Sequence, residues 1–123
     1  MSKSKSFSNV NISLTPQIFY ILLSLATKER HGYDILKGVE HDSQGKITLG
    51  PGTLYGAIKR MLEEKLIVEL APTHTRRKYY KLTDKGRTIF TNELARYNQV
   101  IEVAKQKKLF SLPIATKLAF TYV

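Results

Sequence analysis

The chain has 123 residues, 42% of them hydrophobic, and 20 basic against 10 acidic residues give a formal net charge of +10. That length can bury a core without covalent staples and fits one domain, or one domain with an appendage. The absence of cysteine excludes disulfides, thiolate metal sites and cysteine nucleophiles from this chain.

The charge balance points to an anionic partner, most simply nucleic acid. A basic surface that serves only solubility is the plainer alternative. Residues 1–13 are polar and basic and read as a flexible arm, with no apolar core of the kind a secretory signal needs. The longest apolar-rich run, Ile18 to Ala26, falls short of the ~20 residues of a membrane helix. The expectation is a cytoplasmic protein without a membrane partner.

Thr15-Pro16 predicts the start of a helix that runs to about Thr27, with threonine as the cap and proline in the first turn. Ile18, Ile21, Leu22 and Leu25 fall on one side of it, and Phe19, Tyr20 and Leu23 on another. A helix apolar on two sides needs two covers, and a partner subunit is expected to be the second. Lys28 to Gly32 reads as a polar turn that includes His31. A second helix is expected from about Tyr33 to His41, with Ile35 and Val39 buried and Asp34 favourably placed in its first turn. After a turn at Ser43-Gln44-Gly45, the alternation in Lys46-Ile47-Thr48-Leu49 predicts a short strand.

Gly50-Pro51-Gly52 opens the next helix, expected over Pro51 to Lys65. Leu54, Ile58, Met61 and Leu62 lie at the spacing of one buried face. The opposite face carries Thr53, Gly56, Ala57, Lys59 and Arg60, with no acid in its first two turns. Such a helix can enter a DNA major groove with its N-terminal end forward. An ordinary amphipathic helix with a solvated face fits the same pattern.

Leu66 to Leu70 and Arg76 to Leu82 read as two strands of a hairpin, joined by a loop at 71–75. Alternation along the second strand would put Arg77, Tyr79 and Lys81 on one face and Arg76, Lys78 and Tyr80 on the other. Six cations against one acid lie between His74 and Arg87, which is half of the net charge. A last, long helix begins at Thr83-Asp84, where Thr83 caps it and Gly86 is expected to permit close packing. Phe90, Leu94, Tyr97, Ile101 and Ala104 then recur at alternating spacings of four and three, an apolar seam of about two heptads. The helix is expected to fade near Lys105 to Lys108. Leu109 to Val123 reads as a short packed tail or a last turn of helix.

The order of elements is that of a winged helix-turn-helix: mainly α, with a small β-hairpin wing and a long C-terminal helix. Five segments carry a closer resemblance: Leu14-Thr15-Pro16, His31-Gly32-Tyr33-Asp34-Ile35, Leu49-Gly50-Pro51-Gly52-Thr53-Leu54-Tyr55, Arg77-Lys78-Tyr79-Tyr80 and Leu82-Thr83-Asp84-Lys85-Gly86. In that order the chain resembles the PadR family of bacterial transcriptional regulators, in its short form with one dimerisation helix. The resemblance spans roughly residues 14 to 90.

With the arm at 1–13 set aside, the expected domains are a winged-helix DNA-binding domain at 14–82 and a dimerisation helix with an apolar tail at 83–123. The resemblance implies a homodimeric, sequence-specific regulator of double-stranded DNA, usually a repressor, on an inverted-repeat operator. The implied DNA-binding residues are Tyr33, Pro51, Gly52, Thr53, Tyr55, Lys59, Arg76, Arg77 and Lys78. The seam of the last helix and the two-sided first helix give Phe19, Leu23, Phe90, Leu94, Tyr97 and Ile101 as the expected dimer residues. Many members release DNA on binding a small aromatic or lipophilic effector, and Phe19, Tyr20 and Tyr97 are the candidate pocket. The chain has no tryptophan, so a pocket of stacked tryptophans is excluded.

Two readings of several residues stand at this point. Tyr55 is either a DNA contact or a core aromatic beside Leu54 and Ile58. Tyr33 either faces DNA or covers the turn before its helix. Lys59 either meets phosphate or pairs with Glu63 four residues on. His31, His41 and His74 are scattered and form no metal set. With no Ser-His-Asp order, phosphate-cradling glycine loop or acid pair, the expectation is a non-enzyme without cofactor or metal. The rival function is a winged-helix module whose basic wing docks an acidic protein. A weaker third is an enzyme or small-molecule carrier built on the dimer cavity.

Overall fold

The computed structural model describes residues 14–71 and 76–109. The expected arm at 1–13, most of the wing loop with His74, and the tail from 110 onwards lie outside those residues. The elements are α1 (Pro16–Leu25), β1 (Arg30–His31), α2 (Gly32–Asp42), α3 (Pro51–Glu63), β2 (Ile67–Glu69), β3 (Tyr79–Leu82) and α4 (Asp84–Gln106). The chain divides into two compact units, Met1–Glu93 and Leu94–Val123, so the first ten residues of α4 belong with the first unit.

The helices of the first unit start at a capping side chain or, for α3, at a proline in the first helical position. Thr15 accepts a hydrogen bond from the Ile18 N–H at 3.2 Å, and Pro16 takes the first helical position. Pro51 does the same for α3 after an extended Gly50. Thr83 accepts from the Gly86 N–H at 3.0 Å at the head of α4. Each such contact satisfies an N–H that the first helical turn leaves without a partner.

The core forms where the apolar stripes meet. Ile21, Leu22 and Leu25 of α1, Ile35 and Val39 of α2, and Leu54 and Met61 of α3 are all buried, with Leu66 and Ile67. Tyr80 and Leu82 close this core from the sheet, and Ile89 and Phe90 from α4. Of the second face of α1, Phe19 is covered within the same chain, while Tyr20 and Leu23 are half-buried. Phe19 is buried, with its ring centroid 5.3 Å from Phe90 and 5.8 Å from Tyr20. No partner subunit is needed to cover Phe19.

The sheet has three antiparallel strands in the order β1-β3-β2. Its third strand is a correction to the sequence reading. Arg30 and His31, expected in a turn, pair with Tyr80 and Tyr79. Residues 46–49, expected as a strand, are irregular. Ser43 Oγ accepts from the Ile47 N–H at 2.9 Å and holds that segment to the end of α2. The outer edge of β3 is filled by β1 instead. The second wing strand is also shorter than expected. Tyr79–Leu82 forms the ladder, with Tyr80 and Leu82 buried and Lys81 exposed, while Arg76, Arg77 and Lys78 precede it. Strand alternation therefore does not set the direction of those three cations.

A tight joint locks α3 to α4. Lys85 Nζ donates to the Glu64 carbonyl at 2.8 Å, Thr83 Oγ1 to the Lys65 carbonyl at 2.6 Å, and the Thr83 N–H to the Leu66 carbonyl at 3.0 Å. Gly86 lies against that Leu66 peptide, where a β-carbon would stand 2.9 Å from the carbonyl carbon. The end of the α3 helix is thus held by the first turn of α4.

In the second unit, Leu94, Tyr97, Val100, Ile101 and Val103 are all exposed. The helix ends at Gln106, close to where the run of lysines placed it, and Lys108 adopts a positive φ of 60°.

Candidate nucleic-acid interface

The buried stripe of α3 fixes which residues face outward. With Leu54, Ile58 and Met61 in the core, Pro51, Gly52, Thr53, Tyr55, Gly56, Lys59 and Arg60 are exposed. Tyr55 is 51% exposed, so it is not a core aromatic. Its phenol instead reaches across to the head of α2 and lies over Gly32. Lys59 is exposed, and among the described residues no ion pair joins it to Glu63.

The head of α2 is built by His31. Its Nδ1 accepts from the Asp34 N–H at 3.4 Å, as the N-cap of the helix. Its Nε2 lies 3.1 Å from Asp34 Oδ2 and 3.0 Å from Arg77 Nη1. The His31 ring also meets the Tyr79 ring edge-on, with centroids 5.3 Å apart. Tyr33, the next residue but one, is 61% exposed, and Lys37 Nζ stands 5.4 Å from its ring centroid. Tyr33 is therefore not part of the core.

These pieces surround one open cleft of about 410 Å³, lined by His31, Gly32, Tyr33, Tyr55, the three cations 76–78 and Tyr80. Three elements distant in sequence thus bring phenols and cations together, with no acid among the lining residues. Burial raises the Tyr80 phenol above its ordinary pKa, and the Glu69 carboxylate and Tyr55 phenol push it the same way. It therefore stays protonated and adds no negative charge to the cleft near neutral pH.

Of the nine residues expected at DNA, the cleft gathers Tyr33, Tyr55, Arg76, Arg77 and Lys78. Pro51, Gly52, Thr53 and Lys59 lie on the exposed face of α3. Sequence reasoning missed the part played by His31. The signal was present as His31-Gly32-Tyr33-Asp34, a polar cap with an acid three residues on, which is the spacing of a capping box. Tyr80 was assigned to a strand face but not to the site.

Of the residues expected at a dimer face, Phe19 and Phe90 are enclosed by the core and Leu23 is half-buried against it. Leu94, Tyr97 and Ile101 are exposed. Of those expected at an effector pocket, Phe19 and Tyr20 belong to the first unit and Tyr97 to the second. Among the described residues, no group of three or more His, Asp or Glu side chains is placed to hold a metal. Nor is any described helix long and apolar enough to cross a membrane.

A helix pair with an exposed second member, a two-stranded wing and a basic rim define a winged helix-turn-helix protein. The model of the transcriptional regulator PadR-like family matches residues 21–92, more than half of the chain, and the chain belongs to that family. The transcriptional regulator YqjI of Escherichia coli K12 is 30% identical over 66 residues, which cover 54% of this chain and 31% of that protein. The chain thus matches about a third of that relative's length. A PadR family transcription regulator from Clostridium difficile R20291 shares the fold with a TM-score of 0.62 and 27% identity, over 75% of this chain and 97% of that one. A transcriptional regulator from Clostridium thermocellum has a TM-score of 0.61 at 23% identity, over 73% of this chain and 87% of that one, a likeness of fold alone.

Proposed function

We propose that this chain binds double-stranded DNA and regulates transcription, as a repressor acting as a homodimer. The observation that carries the reading is the convergence of Tyr33, Tyr55 and the cations at 76–78 on one cleft, with no acid among its lining residues, beside the exposed head of α3. In this arrangement Thr53 and Tyr55 meet the groove, while Arg76, Arg77 and Lys78 hold phosphate. The homodimer is supported by the row of exposed aliphatic and aromatic side chains in the second unit, which a second copy would cover. An effector, if the regulator uses one, is expected to be small and aromatic or lipophilic, and the open apolar shelf of Tyr97, Val100 and Ile101 is where such a molecule would act on the dimer.

The test is binding to DNA at a series of salt concentrations. A DNA-binding cleft gives a straight log–log plot with a slope of about −0.9 per phosphate neutralised. Arg77→Ala should weaken binding to all sequences and make the slope shallower by about one unit. Thr53→Ala should instead narrow the gap between a DNA selected from a random pool and unselected DNA. Capture of an acidic protein through the wing, with no binding to DNA at any salt concentration, would favour the rival interaction module.

A further inference from the structure

The cations of the wing precede the ladder of β3, so the sheet does not aim them. Arginine carries about 2 kcal/mol of rotamer entropy, and a side chain that is already oriented loses less on binding. Arg77 has such an orienting contact. Its Nη1 stands 3.0 Å from Nε2 of His31, a buried imidazole 46 residues away in sequence. Three other groups surround that imidazole. Nδ1 faces the Asp34 N–H, Nε2 faces the Asp34 carboxylate at 3.1 Å, and the ring abuts Tyr79.

We propose that His31 is a positioning residue for the wing: through Nε2 it holds the Arg77 guanidinium at the rim of the cleft, from which it passes to a DNA phosphate. The proposal rests on the DNA-binding reading of the cleft. The chemistry at Nε2 makes the contact reversible. A neutral imidazole has one N–H, so Nε2 either donates to Asp34 Oδ2 or accepts from Arg77, but not both at once. When Nε2 donates to Asp34, Nδ1 is free to accept the Asp34 N–H and the helix stays capped. When Nε2 accepts from Arg77 the proton sits on Nδ1 and that cap bond is given up, so passing Arg77 to a phosphate restores the cap. The Asp34 carboxylate keeps negative charge beside the spot where Arg77 rests, so the guanidinium waits at the rim of the cleft.

The two duties of His31 can be separated. Asparagine is a good N-cap, and its side chain is too short to reach Arg77, so His31→Asn keeps the start of α2 and removes the wing contact. Arg77→Lys, at an exposed position, keeps the charge and loses the planar donor that meets the imidazole. Affinity for a fluorescent duplex of mixed sequence is measured against potassium chloride for the unaltered protein, H31N, R77K, R77A and H31N/R77A, with thermal unfolding of each.

The expected result is a loss of roughly five-fold for H31N and for R77K, the size of a side-chain ordering cost. The unfolding midpoint should be kept. In the R77A background, H31N should change affinity by less than about two-fold, because coupled positions are not additive. An equal H31N loss with and without Arg77 would overturn the proposal. So would an H31N protein that binds like the unaltered one, or an R77K protein that does so while H31N is weak. If the unaltered protein itself shows no salt-dependent binding, the DNA reading fails and the positioning role fails with it.

Discussion

The phenol of Tyr55 rests on Gly32, so that a β-carbon at position 32 would stand 2.8 Å from Tyr55 Cζ. The two residues come from the exposed helix and from the head of the helix before it. They explain why a glycine follows His31: the first turn of α2 must leave room for the ring. Tyr55 is half exposed, so the ring can swing away, and the backbone need not move. Gly32→Ala should therefore change stability by no more than about 0.5 kcal/mol, since alanine suits a helix and the obstacle is a mobile side-chain end. DNA affinity should fall by roughly ten-fold as Tyr55 leaves its place. Unfolding and DNA titration of one preparation check both halves. A protein that loses stability but keeps affinity would contradict this account.

Gly86 offers the opposite case. Here the neighbour is the Leu66 backbone, which cannot rotate away. Gly86→Ala should cost about 2 kcal/mol or more through overpacking, seen as a lower urea midpoint. Gly56, exposed in the middle of α3 with nothing near its missing β-carbon, is the control. Gly56→Ala should raise stability by about 0.5–1 kcal/mol through lost backbone entropy in the unfolded chain.

Tyr80 gives the fold an alkaline limit. Its phenol is raised above the usual value of 10.0 in the folded state, first by burial and then by Glu69 and Tyr55. Above pH 10 the unfolded chain releases this proton while the folded chain keeps it. Unfolding then gains free energy, and stability falls as pH rises through the folded value. Below pH 10 the full stability is present. Tyr80→Phe should flatten this decline without changing the acid side, as measured by urea midpoints across the alkaline range.

The exposed apolar side chains of the second unit predict self-association. Leu94 is 46% exposed and Ile101 39%, a large apolar surface for a lone helix segment to leave in water. Sedimentation at micromolar concentration should show a dimer. Leu94→Asp with Ile101→Asp should give a monomer with near-native unfolding of the first unit, because neither residue belongs to its core. A monomer in the unaltered protein would remove the homodimer from the proposed function. The two copies of α3 in a symmetric DNA-binding dimer should lie about 34–36 Å apart, one DNA turn, and select an inverted repeat.

The sequence by itself determined where helices begin and which faces they bury. Thr15-Pro16, Gly50-Pro51 and Thr83-Asp84 are local signals, because a cap bonds N–H groups only two or three residues away. The buried stripes of α1, α2 and α3 follow from the pitch of the helix, and they hold in the structure at Ile21, Val39 and Met61. The motifs also sufficed to point to the family. Tertiary structure decided the rest. A two-residue strand at Arg30–His31 has no period to detect, and it exists only because β3 offers an open edge. Residues 46–49 alternate like a strand, but that edge is already taken. Phe19 found its second cover in Phe90 rather than in another subunit, a choice set by how α4 crosses the first unit. The meetings of Tyr55 with Gly32 and of His31 with Arg77 join residues 23 and 46 positions apart. No local spacing encodes such contacts. They come from packing four helices and a three-stranded sheet around one core, and they turn a set of motifs into a cleft.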